Sequence, residues 1–338
     1  MINLRRRTNP IGRFFGAWVT ATVISSCSGS ALPNYEPISP SEGRIIQHGL
    51  GETVVPKTPQ RVVLLGSVVD ALALGIEPEG AALSGFPQRA NSDELVAILS
   101  DYTTDISVVG HARQPNLEKI VQLQPDLILA SKGGERVYPR LSQIAPTVVI
   151  DTSSGADEWK EYVLTSATAM GKRDEAVAMI QQYEQRITQF QQAMGDRLET
   201  TVVSVARFRP DQVRVFQRNS FSGAILAEAG LLRPESQQPR NRPYKSISLE
   251  SLSAIDADVL FFMQDNPENS VLGRVQQHPL WSQLEVVQQQ EVYEISLEVW
   301  FLNSGIVTAH MILNDLFRTL VPNGEQYVID QVGELALP

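Results

Sequence analysis

Apolar positions in this chain follow two rhythms that alternate along its length. Short β-branched runs at residues 61–65, 81–84, 106–109, 126–130 and 147–150 read as buried strands. Helical spacing separates most of them. Ser67 opens one such stretch, with Val68, Leu72 and Leu74 as its apolar side and Gly75 as its stop. Residues 157–195 are almost all helix formers, interrupted once at Gly171. Within them 174–194 hold no Gly or Pro, and place Ala176, Val177, Ile180, Tyr183, Ile187 and Phe190 near helical spacing. At ~1.5 Å per residue that stretch predicts a helix roughly 30 Å long. It reads as a rigid connector between two lobes, or as a packing helix of one large domain. Beyond Gly195 the alternation resumes, with strands expected at 201–206, 212–216, 258–262 and 292–295, a helix at 220–228, and a last amphipathic helix at about 303–320. Alternating strands and helices imply layered, mostly parallel α/β structure.

A repeat favours two lobes. NLEKIVQLQPDLIL (116–129) aligns without gaps on SLESLSAIDADVLF (248–261), 132 positions further on. Each copy opens a short helix with Leu-Glu, spaces apolar residues behind it, and ends in an Asp and an apolar strand. The two copies flank the long helix.

Composition narrows the function. Hydrophobic residues make up 43% and charged residues 20%, as in folded globular proteins. The net charge of −10 excludes a nucleic-acid binder, since phosphate affinity needs a basic surface. Clustered arginines in such a chain would stand against its overall field. The single cysteine, Cys27, permits no intramolecular disulfide. Arg5, Arg6, Arg7 and Arg13 precede an apolar run at 14–24, shorter than the ~20 residues that span a bilayer. The run ends Ile24-Ser25-Ser26-Cys27, which resembles the lipobox of bacterial lipoproteins and implies acylation of Cys27. A plain signal peptide with an incidental cysteine is the alternative, and export by the Sec or Tat route stays open. Without residues 1–26, which carry four arginines and no acid, the net charge becomes −14. Residues 28–43, rich in Ser, Pro and Gly, read as a flexible tether. The expected order is a signal peptide at 1–27, the tether at 28–43, a first lobe at 44–156, a helical region at 157–195 and a second lobe at 196–338.

Several stretches resemble the bacterial periplasmic binding proteins for iron siderophores, haem and cobalamin, the class with a helical backbone between its lobes. They are PQRVVLLG (59–66) with DALALGI (70–76), VGH (109–111) with PNLE (115–118), LQPDLIL (123–129), and HPLW (278–281) with EVYE (291–294). RFRP (207–210) and the stretch from SFSG to GLLRP (220–234) are closest to the ferric-siderophore branch. The resemblance implies two similar α/β lobes, each with a central mostly parallel sheet, joined by a single long helix. It implies limited hinge motion, ligand in the interlobe cleft, delivery to an ABC importer permease, and no catalysis. It also maps permease docking onto Glu118 and Glu250; helix-start carboxylates favoured by the helix dipole are the alternative, and the symmetry of the repeat favours docking.

An anionic ferric chelate, of citrate or of a hydroxamate with carboxylate arms, needs donors, and arginine offers a planar fork that matches carboxylate oxygens. Candidates in the second half are Arg207, Arg209, Arg218, Arg240, Arg242 and Tyr244, and in the first half Phe86, Arg89, Arg113 and Lys132. Trp300, before the last helix, is placed either over the apolar face of a siderophore or in the core. Each arginine alone is more readily a solvated or ion-paired surface residue, and Arg207 with Arg209, close together in an acidic chain, is the pair that favours the cleft. The histidines His48, His111, His278 and His310 are scattered, so iron is expected to arrive already chelated, with no protein cofactor and no protein metal site. A monomer is expected. Haem or a corrinoid remains an alternative ligand, with Tyr244 or His111 as the axial group. An exported α/β enzyme is a further alternative, but the chain has no GxGxxG, GxxxxGK[ST] or GxSxG motif.

Overall fold

Hydrophobic alternation alone does not announce how the folded part begins. In the computed structural model, strands β1 (Gly43–His48) and β2 (Gly51–Pro56) pair as an antiparallel hairpin. Only Ile46 and Val55 of this hairpin are buried, so it carries no apolar run for the sequence to display. The described residues are 38–39, 42–66, 68–82, 106–131, 134–150, 158–239 and 241–329.

The first sheet is built from β3 (Val62–Leu65), β4 (Gly80–Ala81), β5 (Ser107–Val108), β8 (Leu127–Ser131) and β9 (Thr147–Ile150). Their order is β5-β4-β3-β8-β9 and every pairing is parallel. Helix α1 (Val69–Ala73) follows β3, and a small antiparallel hairpin, β6 (Gly110–His111) with β7 (Gln114–Pro115), leads into helix α2 (Leu117–Gln122). After β9 come α3 (Trp159–Met170) and the 22-residue α4 (Arg173–Met194). They break at Gly171, which caps α3 in the left-handed region at φ 77°. A Cβ there would stand 2.8 Å from the Lys57 carbonyl oxygen, so only glycine suits the break.

The second sheet contains β10 (Val203–Phe208), β11 (Val213–Phe216), β12 (Tyr244–Ile247), β13 (Val259–Gln264) and β14 (Val292–Glu294), in the order β12-β11-β10-β13-β14. Helix α5 (Phe221–Glu228) starts at Ser220, whose hydroxyl accepts from the Gly223 N–H, and α6 (Ile306–Leu320) ends the lobe. This sheet is mixed. β13 runs parallel to β10 and β14, while β11 is antiparallel to both β10 and β12. The antiparallel half arises because β10 and β11 are joined by a tight turn, which cannot connect parallel neighbours.

The repeat has a structural cause. Asp126 accepts from the Gln60 and Arg61 N–H groups at 2.8 and 2.9 Å, tying β8 to the start of β3. Its counterpart Asp258 accepts from the Val202 N–H at 2.7 Å, tying β13 to the start of β10. The preceding helices differ: α2 is α-helical, whereas Leu249–Ile255 is 3-10 and interrupted at Ser251.

Each sheet buries both faces. The outer face of the first packs Val63, Leu65, Ile128 and Ala130, and that of the second packs Ala206, Phe208, Val213 and Leu260. Both inner faces meet in one continuous core, where Val62, Leu64 and Leu129 join Val203, Val205 and Phe261 through α3, α4 and α6. Two polar groups fasten this core. Arg186 on α4 donates to the His310 carbonyl at 3.1 Å, to Asn314 at 2.7 Å and to the Tyr327 carbonyl at 2.9 Å. Asp70 on α1 is buried and accepts from the Val307 N–H at 3.1 Å, so a carboxylate of the first lobe caps a helix of the second.

Candidate functional site

The turn that joins β10 to β11 sets the site. Arg209-Pro210-Asp211-Gln212 closes with the Arg209 N–H donating to the Gln212 carbonyl at 3.0 Å, and Pro210 presets the backbone angle such a turn needs. The resulting register lays Arg207 directly opposite Arg214. Strand alternation puts Val203, Val205 and Arg207 on the face turned to the central core. On the neighbouring β13, Val259, Phe261 and Met263 share that face, and Asp265 follows just past the strand end. Ligands of open α/β sheets lie beyond the carboxyl ends of the strands, and both β10 and β13 end here.

Arg207 is only 1% exposed, and its Nε donates to Asp265 Oδ1 in an ion pair. Its guanidinium lies 4.5 Å from the centre of the Phe301 ring. Arg209 Nε is 4.0 Å from Asp265 Oδ2 and 3.6 Å from Asp211. Arg214 stacks its guanidinium 4.5 Å above Tyr244, and Phe216 meets Phe301 edge-on at 5.4 Å. Burial lowers the Arg207 pKa below its ordinary value; Asp265 pushes it back up, and the like charges of Arg209 and Arg214 push it down. Three guanidiniums thus lie close enough to act on one another in a chain of charge −10, and Asp265 pairs with two of them. Planar forks held on aromatic faces are preorganised to take carboxylate oxygens.

The structure sorts the expected site residues. Arg207, Arg209 and Tyr244 come together. Arg218 lies two residues past β11, half-buried, with its N–H bonded to the Gln237 carbonyl at 3.0 Å. Arg242 is exposed in the segment before β12. Arg113 is exposed at the tip of the β6–β7 hairpin, where its N–H donates to His111 Nδ1 at 3.2 Å. Glu118 and Glu250 are both exposed in the first turns of the two repeated units. Cys27, Phe86, Arg89, Lys132 and Arg240 lie outside the described residues. So do residues 67, 132–133 and 151–157, shortly after strands β3, β8 and β9.

Trp300 requires a correction. It sits in a π-helical turn, Glu298–Leu302, fully buried, with its ring centre 5.0 Å from that of Phe261. Its Nε1–H donates to Asp315 at 2.7 Å. The indole is a core group bridging β13 and α6, and its neighbour Phe301 is the aromatic that faces Arg207. Arg214, Asp265 and Phe301 were absent from the sequence-based set. Alternation in Val213-Arg214-Val215 was the available signal for Arg214, because it turns the arginine away from the two buried valines. Among the described residues, no cluster of three or more His, Cys, Asp or Glu is placed to hold a metal.

A family model described as periplasmic binding protein matches residues 62–298. The chain belongs to the periplasmic binding protein family. The stretches that carried the resemblance lie in or beside that span. Among curated relatives of the family, the chain is 31% identical over 321 residues to the probable siderophore-binding lipoprotein YfiY of Bacillus subtilis, covering 90% of this chain and 96% of the relative. It is 31% identical to the Fe(3+) dicitrate-binding periplasmic protein FecB of Escherichia coli, covering 83% and 91%. Among solved structures it is similar to Staphylococcus aureus SirA complexed with staphyloferrin B, at 28% identity and a TM-score of 0.70, over 82% of this chain and 98% of that one. Two α/β lobes with a long helix between them are thus the fold of this periplasmic binding protein, its second sheet differing from expectation in being mixed.

Proposed function

We propose that this protein captures a ferric siderophore carrying exposed carboxylates and delivers it to an ABC importer. The carrying observation is the convergence of Arg207, Arg209 and Arg214 at the carboxyl end of the second sheet, held by Phe301 and Tyr244. The names of the relatives, a siderophore-binding lipoprotein and a dicitrate-binding protein, support the same ligand class. Iron arrives chelated, so the protein supplies donors to the chelator's carboxylates and an aromatic edge to its apolar parts. The haem reading has less support: the Tyr244 ring face is taken by Arg214, and His111 lies on the β6–β7 hairpin bonded to the Arg113 N–H. Glu118 and Glu250, exposed on matching units of the two lobes, dock onto the permease. Cys27 carries the lipid anchor, residues 28–43 form the tether, and the exported protein works as a monomer outside the cytoplasmic membrane. The lobes then extend over residues 44–156 and 196–338, bridged by the helical region at 157–195.

Calorimetric titration with ferric dicitrate and other ferric carboxylate chelates tests the ligand. Replacing both Arg207 and Arg209 by alanine should weaken binding at least about 100-fold, since each charged hydrogen-bonding pair contributes about 1.5–3 kcal/mol. Failure of the wild type to bind any ferric chelate would sink the function. Undiminished affinity in the double variant would sink the site. A double Glu118→Ala, Glu250→Ala variant should keep ligand affinity and lose uptake in membranes containing the permease.

A further inference from the structure

Among the groups at the arginine cluster, Asp265 stands out because it offers the arginines the same chemistry as the proposed ligand. Its carboxylate reaches two of them at once, through Oδ1 to Arg207 and through Oδ2 at 4.0 Å to Arg209. It stands just beyond β13, the strand that pairs in register with β10, so the backbone brings its Cα to the end of the strand that carries Arg207. It is 19% exposed, whereas Asp211, the other acid near Arg209, is 65% exposed. Screening leaves Asp211 little influence on the site, while Asp265 acts at short range in a partly dehydrated setting.

We infer that Asp265 is the specificity-determining residue that sets how much negative charge the bound chelate carries. The inference rests on the ferric-chelate reading of the arginine cluster. Asp265 answers part of the positive charge of Arg207 and Arg209, and Asp211, 3.6 Å from Arg209 but far more exposed, adds a weaker share. The remainder is left for the ligand. A highly charged chelate brings a carboxylate against Asp265, whereas a neutral one meets arginines that Asp265 already partners. Specificity is then set by a repulsive element as well as an attractive one.

The test is Asp265→Asn, which keeps the shape and the acceptor oxygen and removes the charge. Glu268→Gln serves as control, since it removes the same charge from an exposed site in the same segment. Binding of anionic ferric dicitrate and of a neutral ferric trishydroxamate is measured for all three proteins. In Asp265→Asn the ratio of affinities, anionic over neutral, should rise about 10-fold, with the rise shrinking in high salt. Glu268→Gln should leave the ratio within about 2-fold of wild type. An unchanged ratio in Asp265→Asn, or an equal loss for both chelates, overturns the inference while leaving the ferric-chelate reading intact. A wild type that binds neither chelate overturns both.

Discussion

Replacing Asp70 by asparagine isolates the contact that ties the first lobe to the last helix. The Asp70 carboxyl is buried, and burial raises its pKa from the ordinary 3.8 to about 6, against the opposing pull of the Val307 and Ile306 N–H groups. A folded-state pKa above the unfolded one means that the folded protein holds this proton more tightly. Stability from this group is therefore complete below about pH 4 and is lost as pH rises through about 6. The difference between 3.8 and about 6 corresponds to about 3 kcal/mol. Asparagine resembles the protonated acid: its oxygen still accepts from Val307, and it has no charge to desolvate. Asp70→Asn should match wild type near pH 4 and exceed it by up to about 3 kcal/mol at pH 8. Urea unfolding of both proteins at several pH values measures this, because other titrating groups cancel in the difference. His310, for example, is depressed by burial to about 3 and weakens both proteins alike as pH falls below its ordinary 6.5. A wild-type-minus-variant difference that does not change with pH would refute the reasoning.

Trp300→Phe removes the indole donor to Asp315 and should destabilise the fold by about 1–2 kcal/mol while leaving chelate affinity unchanged, as paired unfolding and binding titrations would show. Arg214→Gln, which lifts the guanidinium off Tyr244, should weaken binding of ferric dicitrate about 10-fold with little change in thermal midpoint. Asp126→Ala leaves two exposed strand-start N–H groups without their acceptor and Asp258→Ala leaves one, so chemical unfolding should find the first variant the less stable, with losses of about 0.5–1.5 kcal/mol per bond.

Much of the fold was legible because its signals are local. The strand at Thr147–Ile150 has the expected bounds, and the helix break falls at Gly171, where glycine is needed for both its φ and its clearance. The repeat was visible because the same Asp performs the same task in both lobes. Strand β12 was not visible, since Tyr244–Ile247 is half-exposed and offers no apolar run. The site was legible in part. Arg207 and Arg209 share a short motif, but Arg214 joins them only through the register of a turn, and Asp265 only through a parallel strand more than fifty positions away. Sequence alone left Trp300 between ligand contact and core, because its burial depends on Phe261 and Asp315, which only the tertiary fold brings to it.

The core that runs unbroken beneath both sheets limits what evolution can do with this architecture. The lobes look like two modules, yet Val62 and Leu129 from one and Val205 and Phe261 from the other share a single apolar interior with α4 and α6. Cutting the chain at Gly171 would leave each piece with an open greasy wall instead of a finished surface. Neither half is therefore an exchangeable part. Substitutions at the rims of the sheets, where Arg214 and Asp265 stand, leave that shared interior intact, whereas recombining one lobe with a stranger does not.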